Sequence, residues 1–289
     1  MDSTTHKFYH VHGMDSRSYL DLYFSNNEDM VFAEDTLKFP MSMIHYQLCT
    51  GRTEGTFLID ISLGSIIHHL YFVSKFFKKI VLLKFQEKCI MELNRWLHDR
   101  TGAYDWSHTS SAAAELEGMS CGDWRWSGRG AVTSNREGMY VGWIFVGLGD
   151  QLQEQEMRLR SSIKQILKCD YEQENVTSPV LLPLADCVIG ASILEMISKN
   201  EDEYMKNLEK TIKLLKPGGQ LLLFAVLDAT YWFVGAERFH CFKCNEEFVK
   251  NAFGKLGLVI DYYTVKRRCN VSDLADYKAI LFIVGRKGE

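Results

Sequence analysis

The chain has 289 residues, 46% of them hydrophobic, enough to bury the core of one large domain rather than two. Its formal net charge of −4 provides no overall basic field to gather nucleic acid or an anionic membrane surface. No apolar run approaches the roughly 18 residues of a membrane helix, and the stretch MDSTTHKFYH lacks the apolar centre of a signal peptide, so a cytoplasmic monomer is expected.

The eight cysteines are then free thiols, mostly small buried hydrophobes. Cys241 and Cys244 form a single C-x-x-C after His240, without the second pair that a structural zinc site requires.

In chain order, residues 1–50 read as a helical N-terminal lid. Residues 15–25 place Tyr19, Leu20, Tyr23 and Phe24 on one helical face. Residues 31–48 continue helically but contain Pro40, which predicts a kink or two helices. The run 56–61 is a first strand, apolar enough to be buried on both faces. A helix is expected over 68–78, a second strand over 79–85 and an amphipathic helix over 86–100. In that helix Cys89, Ile90, Leu93, Trp96 and Leu97 share a face.

Residues 118–149 are glycine- and tryptophan-rich without a sustained period, and read as a disordered insertion. A charged amphipathic helix is predicted over 150–168, then a strand over 185–189 and a helix over 202–216 stopped by Pro217-Gly218-Gly219. The run 220–227 is a continuously apolar strand. Asn245 can cap a helix with Glu246 and Glu247 in its first turn. Two last strands, 258–265 and 277–284, have no helix between them and should pair antiparallel.

This rhythm predicts an α/β fold: a mostly parallel sheet with helices on both faces, an antiparallel last strand, and a cofactor at the C-terminal edge of the first strands. A phosphate-binding P-loop is absent, and Gly190-Ala191-Ser192 lacks the glycine that completes a nucleophile elbow. Of a dinucleotide fingerprint after the first strand only Gly64 remains, which leaves an oxidoreductase of that type the weaker reading.

The motifs LIDI, Gly64, Lys168-Cys169-Asp170, LPLADCVIG and LLKPGG resemble the successive motifs of a Rossmann-like class I S-adenosylmethionine-dependent methyltransferase. With SYLDLYF, NRWLHDRTGAYDWS, ILKCD and YWFVGAERF, the chain resembles the small-molecule amine N-methyltransferases, the family of the nicotinamide, indolethylamine and phenylethanolamine enzymes. The resemblance spans nearly the whole chain except 118–149. It implies S-adenosylmethionine as cofactor and a small amine as acceptor, with neither nucleic acid nor membrane as partner.

The resemblance also implies roles for individual residues. Tyr19 matches the tyrosine that closes over the cofactor, and Phe24 stands where the family has a second tyrosine. Ser62, Leu63 and Gly64 occupy the cofactor turn, and His68 the place of a tyrosine at the next helix start. Lys84 replaces the acid that binds the ribose hydroxyls, and Cys89 the asparagine shortly after it. Asp170 and Tyr171 fall beside the adenine. Glu195 matches an acidic residue that faces the acceptor amine in some members, where it would hold an ammonium or take a proton from it. Ala225 stands in place of an aspartate used for nicotinamide, which argues against that acceptor.

Ser62 puts a side chain where glycine admits the ligand, and Lys84 offers donors only. Losing a hydrogen bond to a carboxylate costs about 1.5–3 kcal/mol. The changes at Ser62, Lys84 and Phe24 together predict weakening by roughly two to four orders of magnitude. They leave open a family member that keeps the fold and binds a small molecule or a partner without catalysis.

Overall fold

The computed structural model describes residues 14–25, 33–117, 126–127, 131–132, 148–268 and 271–288. Helix α1 (Ser16–Tyr23) begins at Asp15, whose side chain accepts from Ser18 N at 2.7 Å. A π-helical segment, Ala33–Lys38, runs into α2 (Phe39–Cys49). Pro40 lies in the first turn of α2, where its missing N–H removes no helical bond, so the predicted break is two segments.

The elements that follow form an α/β unit. They are β1 (Phe57–Ser62), α3 (Leu70–Phe76), β2 (Lys79–Lys84), α4 (Glu87–Leu97) and α5 (Ser107–Glu117). Cys89, Ile90, Leu93 and Trp96 of α4 are buried on the predicted face. Each large apolar side chain so buried contributes about 1.5–3 kcal/mol. Two-residue strands β3 (Trp126–Ser127) and β4 (Ala131–Val132) pair antiparallel. Apart from these and residues 148–149, the predicted disordered insertion lies outside the described residues.

The predicted helix over 150–168 is corrected. Helix α6 (Leu148–Ser162) stops at Ser162, and β5 (Ile163–Lys168) follows at once. The hexapeptide IKQILK pairs in parallel with β2, Leu82 against Ile166 and Lys84 against Lys168. Sheet pairing overrides helix propensity here, and it delivers Asp170 to the sheet's edge.

The chain continues through β6 (Ala185–Ala191), α7 (Leu194–Ile197), α8 (Glu201–Lys213) and β7 (Leu215–Leu227). A hairpin, β8 (Tyr231–Val234) with β9 (Glu237–His240), leads to α9 (Glu246–Lys255), β10 (Leu258–Arg267) and β11 (Ala279–Lys287). Asn245 caps α9 as predicted, accepting from Phe248 N at 2.8 Å.

Seven strands form one sheet in the order β10-β11-β7-β6-β1-β2-β5. The strands from β7 to β5 are parallel, and β11 runs antiparallel to both neighbours. From β1 the chain moves outward to β2 on one side, then returns to β6 on the other. That switch point opens a crevice at the C-terminal ends of β1 and β6, the place where open α/β sheets bind ligands. Among the described residues no helix is long and apolar enough to cross a membrane.

Candidate active site

The cofactor turn encloses a buried ionic cluster. Asp60, Ser62 and Lys84 are fully buried, and His69 nearly so. Asp60 Oδ1 lies 2.6 Å from His69 Nε2, and Asp60 Oδ2 accepts from Ser62 Oγ at 2.7 Å. Lys84 crosses from the end of β2 to donate to Ser62 Oγ, with the carbonyls of Ser62 at 3.5 Å and Ile66 at 3.4 Å also in reach. Its Nζ is 3.5 Å from Asp60 Oδ2. Burial alone would raise the Asp60 carboxyl, but its neighbours His69 and Lys84, with the hydrogen bonds from His69 and Ser62, outweigh it and hold the group below its usual range.

Ser62 therefore does not obstruct the turn as its sequence position suggests, because its hydroxyl is bound to Asp60 and Lys84. Lys84, an expected ribose contact, is instead the cation that stitches the turn.

Helix α1 rests on that turn. Gly64 has φ +61°, and a Cβ there would lie 2.7 Å from both the Met14 Cε and the Tyr19 Cδ1. Only glycine fits. The hydroxyls of Ser16 and Ser65 hydrogen-bond between α1 and the turn.

A cavity opens beside the turn at the β1/β6 switch point. Leu63, His68 and His69 line one end, Ala191 and Ser192 the sheet edge, aromatics of α1 and the hairpin a wall, and Asp35, Thr36, Met196 and Cys241 are among the side chains that complete it. Ser192 holds φ +49°, a strained conformation of the kind found at functional sites. The aromatic wall is continuous: ring centroids of Tyr19 lie 5.2 Å from Tyr23, 5.5 Å from Phe24 and 5.7 Å from Trp232. Phe24 lies 5.0 Å from His68. Aromatic faces attract organic cations, and excluding water strengthens the attraction.

The buried polar groups of this wall differ in how they are satisfied. Asp35 is paired with Lys266 at 2.9 Å and accepts from Tyr277 Oη at 2.6 Å. The ring of His68 is buried, with the Thr36 backbone as its hydrogen-bonding neighbour. Burial, then the neighbouring His69, pushes His68 well below the usual imidazole range, so it is neutral.

The remaining predicted residues lie elsewhere. Asp170 follows β5 and accepts from Glu172 N at 2.9 Å. Tyr171 is buried, stacked on Phe85 at 5.7 Å, with its hydroxyl 2.8 Å from Thr211 Oγ1. Cys89 is buried on α4, and burial pushes its thiol up.

Glu195, expected to face the acceptor, does not line the cavity although its neighbours Met196 and Val226 do. Its Oε1 accepts from Val226 N at 2.7 Å, its Oε2 is buried without a partner, and burial raises it to about 7. The position on α7 turns this carboxyl into the packing behind β7.

Cys241 and Cys244 are buried free thiols. Among the described residues no group of three His, Cys, Asp or Glu side chains could hold a metal.

The sequence reading missed His69 and the hairpin wall. The doubled His68-His69 after a small-residue turn was the available signal for the first, and the aromatic YWFV run for the second.

These residues fit the methyl donor that the resemblance implies at its amino-acid end. There Leu63, His68 and the aromatic wall line one cavity beside the turn. They depart from it at the ribose, where Lys84 is spent on the turn.

The sequence profile of the NNMT/PNMT/TEMT family matches residues 3–133 and 122–288. The indolethylamine N-methyltransferase of Oryctolagus cuniculus is 31% identical over 94% of this chain and 92% of its own length. The nicotinamide N-methyltransferase of Homo sapiens is 28% identical over the same shares. In fold, the chain is similar to the S-adenosylmethionine-bound magnesium protoporphyrin IX methyltransferase from Synechocystis PCC 6803. That likeness has a TM-score of 0.54 at 10% identity and covers 100% of this chain and 98% of the other. Sequence match and architecture agree: the chain belongs to the NNMT/PNMT/TEMT family of methyltransferases.

Proposed function

We propose that this chain transfers a methyl group from S-adenosylmethionine to the nitrogen of a small amine. The observation that carries the reading is the aromatic cavity at the β1/β6 switch point of a chain that belongs to this family. Tyr19, His68 and the backbone at Leu63 and Gly64 would hold the amino-acid end of the donor. Asp170 and Tyr171 stand at the edge where its adenine would lie. The donor supplies an electrophilic methyl on a sulfonium, so the protein needs no nucleophile of its own.

What the chain supplies is position and a dry, cation-tolerant wall. Holding two reactants in line can contribute roughly 7–11 kcal/mol of barrier reduction. Tyr19, Tyr23, Phe24 and Trp232 suit an amine as well as a sulfonium, since each is an organic cation. The free cysteines among the described residues suit a reducing cytoplasm.

Calorimetric titration with S-adenosylmethionine tests the reading. Saturable binding in the micromolar to millimolar range supports it, Lys84 setting the weak end. No binding at millimolar donor would leave a fold that binds something else without catalysis.

A further inference from the structure

An aliphatic amine carries a proton at neutral pH, and its nitrogen has no lone pair until that proton leaves. In a cavity walled by aromatic rings, a side chain that accepts it does the work of water. The wall has few ionisable side chains, and most are already engaged. Asp35 is held by Lys266 and Tyr277. Tyr23 donates its hydroxyl proton to Phe233 O at 2.7 Å, and burial raises both Tyr19 and Tyr23. Burial also pushes the Cys241 thiol up, and His68 is pushed down, away from accepting a proton. Glu195 lies behind the wall.

His69 is arranged differently. Its ring lines the cavity, its Nε2 is held 2.6 Å from Asp60 Oδ1, and its Nδ1 is buried without a partner. A carboxylate on one imidazole nitrogen fixes ring orientation and stabilises the imidazolium that forms when the other nitrogen takes a proton. Asp60 itself stays ionised, because His69 and Lys84 offset its burial.

We propose that His69, backed by Asp60, is the catalytic base that takes the proton from the acceptor amine through Nδ1. The proposal rests on the amine N-methyltransferase reading. In the step, an N–H bond of the ammonium breaks and an Nδ1–H bond forms, leaving a neutral amine and an imidazolium. The amine lone pair then forms the N–C bond while the C–S pair goes to sulfur, giving a methylated ammonium product. His69 returns its proton to water as the product leaves. Asp60 is a positioning residue, and Lys84 tempers its charge from the β2 side.

The probe is indolethylamine, an amine protonated at neutral pH. His69→Gln should lower kcat by roughly 10²–10⁴-fold, the usual worth of a general base, and added imidazole should restore part of it. KM for the amine should change less than about threefold, since the ammonium binds through the aromatic wall and loses its proton only after binding. Glu195→Gln should transfer at the wild-type rate.

A second arm uses the native chain, which guards against a variant that misfolds. The ring nitrogen resonances of His69 should move to imidazolium positions when indolethylamine is added. Unchanged resonances, or a His69→Gln variant with wild-type kcat, would overturn the assignment. A wild type that protonates His69 on amine binding yet transfers no methyl would refute the functional reading and leave the proton acceptor standing.

Discussion

Lys84→Met is the most informative perturbation of the turn. The ammonium of Lys84 is fully buried and surrounded by Ser62 Oγ, two backbone carbonyls and Asp60 Oδ2. Methionine keeps the length and apolar stem but leaves both carbonyls and half of the Asp60 charge without a counterpart. Breaking a buried pair by removing one partner costs about 3–5 kcal/mol. Asp60 keeps His69 at 2.6 Å and Ser62 at 2.7 Å, so the expected loss is near the lower end, about 3 kcal/mol. At about 2 °C per kcal/mol for a chain of this size, the Tm should fall by about 6 °C.

The pH dependence carries a sign. The folded Asp60 carboxyl lies below its unfolded value of about 3.9, so its contribution is present above that value and lost as pH falls through the folded value. Without Lys84 the loss should begin at higher pH. Urea unfolding of Lys84→Met, Asp60→Asn and the double variant should give a coupling above about 1 kcal/mol. A single-variant loss under about 1 kcal/mol, with no coupling, would refute the picture of Lys84 as the turn's internal cation.

Other predictions follow from the same geometry. Glu195, raised to about 7 from an ordinary carboxylate value, binds its proton more tightly folded than unfolded. Stability should therefore fall as pH rises from the usual carboxylate range to about 7, and Glu195→Gln should remove most of that decline. The stake is on the order of 3 kcal/mol in chemical denaturation at pH above that window, and an unchanged pH curve would count against the burial of its carboxyl. Gly64→Ala forces a Cβ against Met14 and Tyr19 in a left-handed conformation. It should destabilise by about 1–2 kcal/mol from the backbone alone and weaken donor binding by lifting α1. Phe24→Tyr restores a hydroxyl beside His68 and should tighten S-adenosylmethionine roughly fivefold, about one hydrogen bond's net worth. Weaker binding in calorimetry would mean that position 24 does not reach the donor.

Much of the fold was legible because its signals are local. A buried apolar run, a small-residue turn and a charged amphipathic helix announce β1, the cofactor turn and α4 without tertiary information. The junction at Ser162 and Ile163 was not legible. The hexapeptide IKQILK satisfies a helical stripe and a strand face alike, and only its pairing with β2 decides. Lys84 reads as a misplaced donor in the sequence. Its use depends on Asp60 and Ser62, which lie 24 and 22 residues away. His69 reads as the neighbour of a site residue until the fold brings it onto Asp60. Glu195 was placed on the right helix and given the wrong direction, because which way a short helix points its carboxyl depends on Val226.

The most direct measurement is mass spectrometry of a reaction containing the purified chain, S-adenosylmethionine with a deuterated methyl group, and indolethylamine. The account predicts a product heavier by one labelled methyl on nitrogen, formed in proportion to enzyme and slowed sharply by His69→Gln. A wild-type chain that binds neither donor nor amine, and labels no amine of this class at millimolar concentrations, would contradict it.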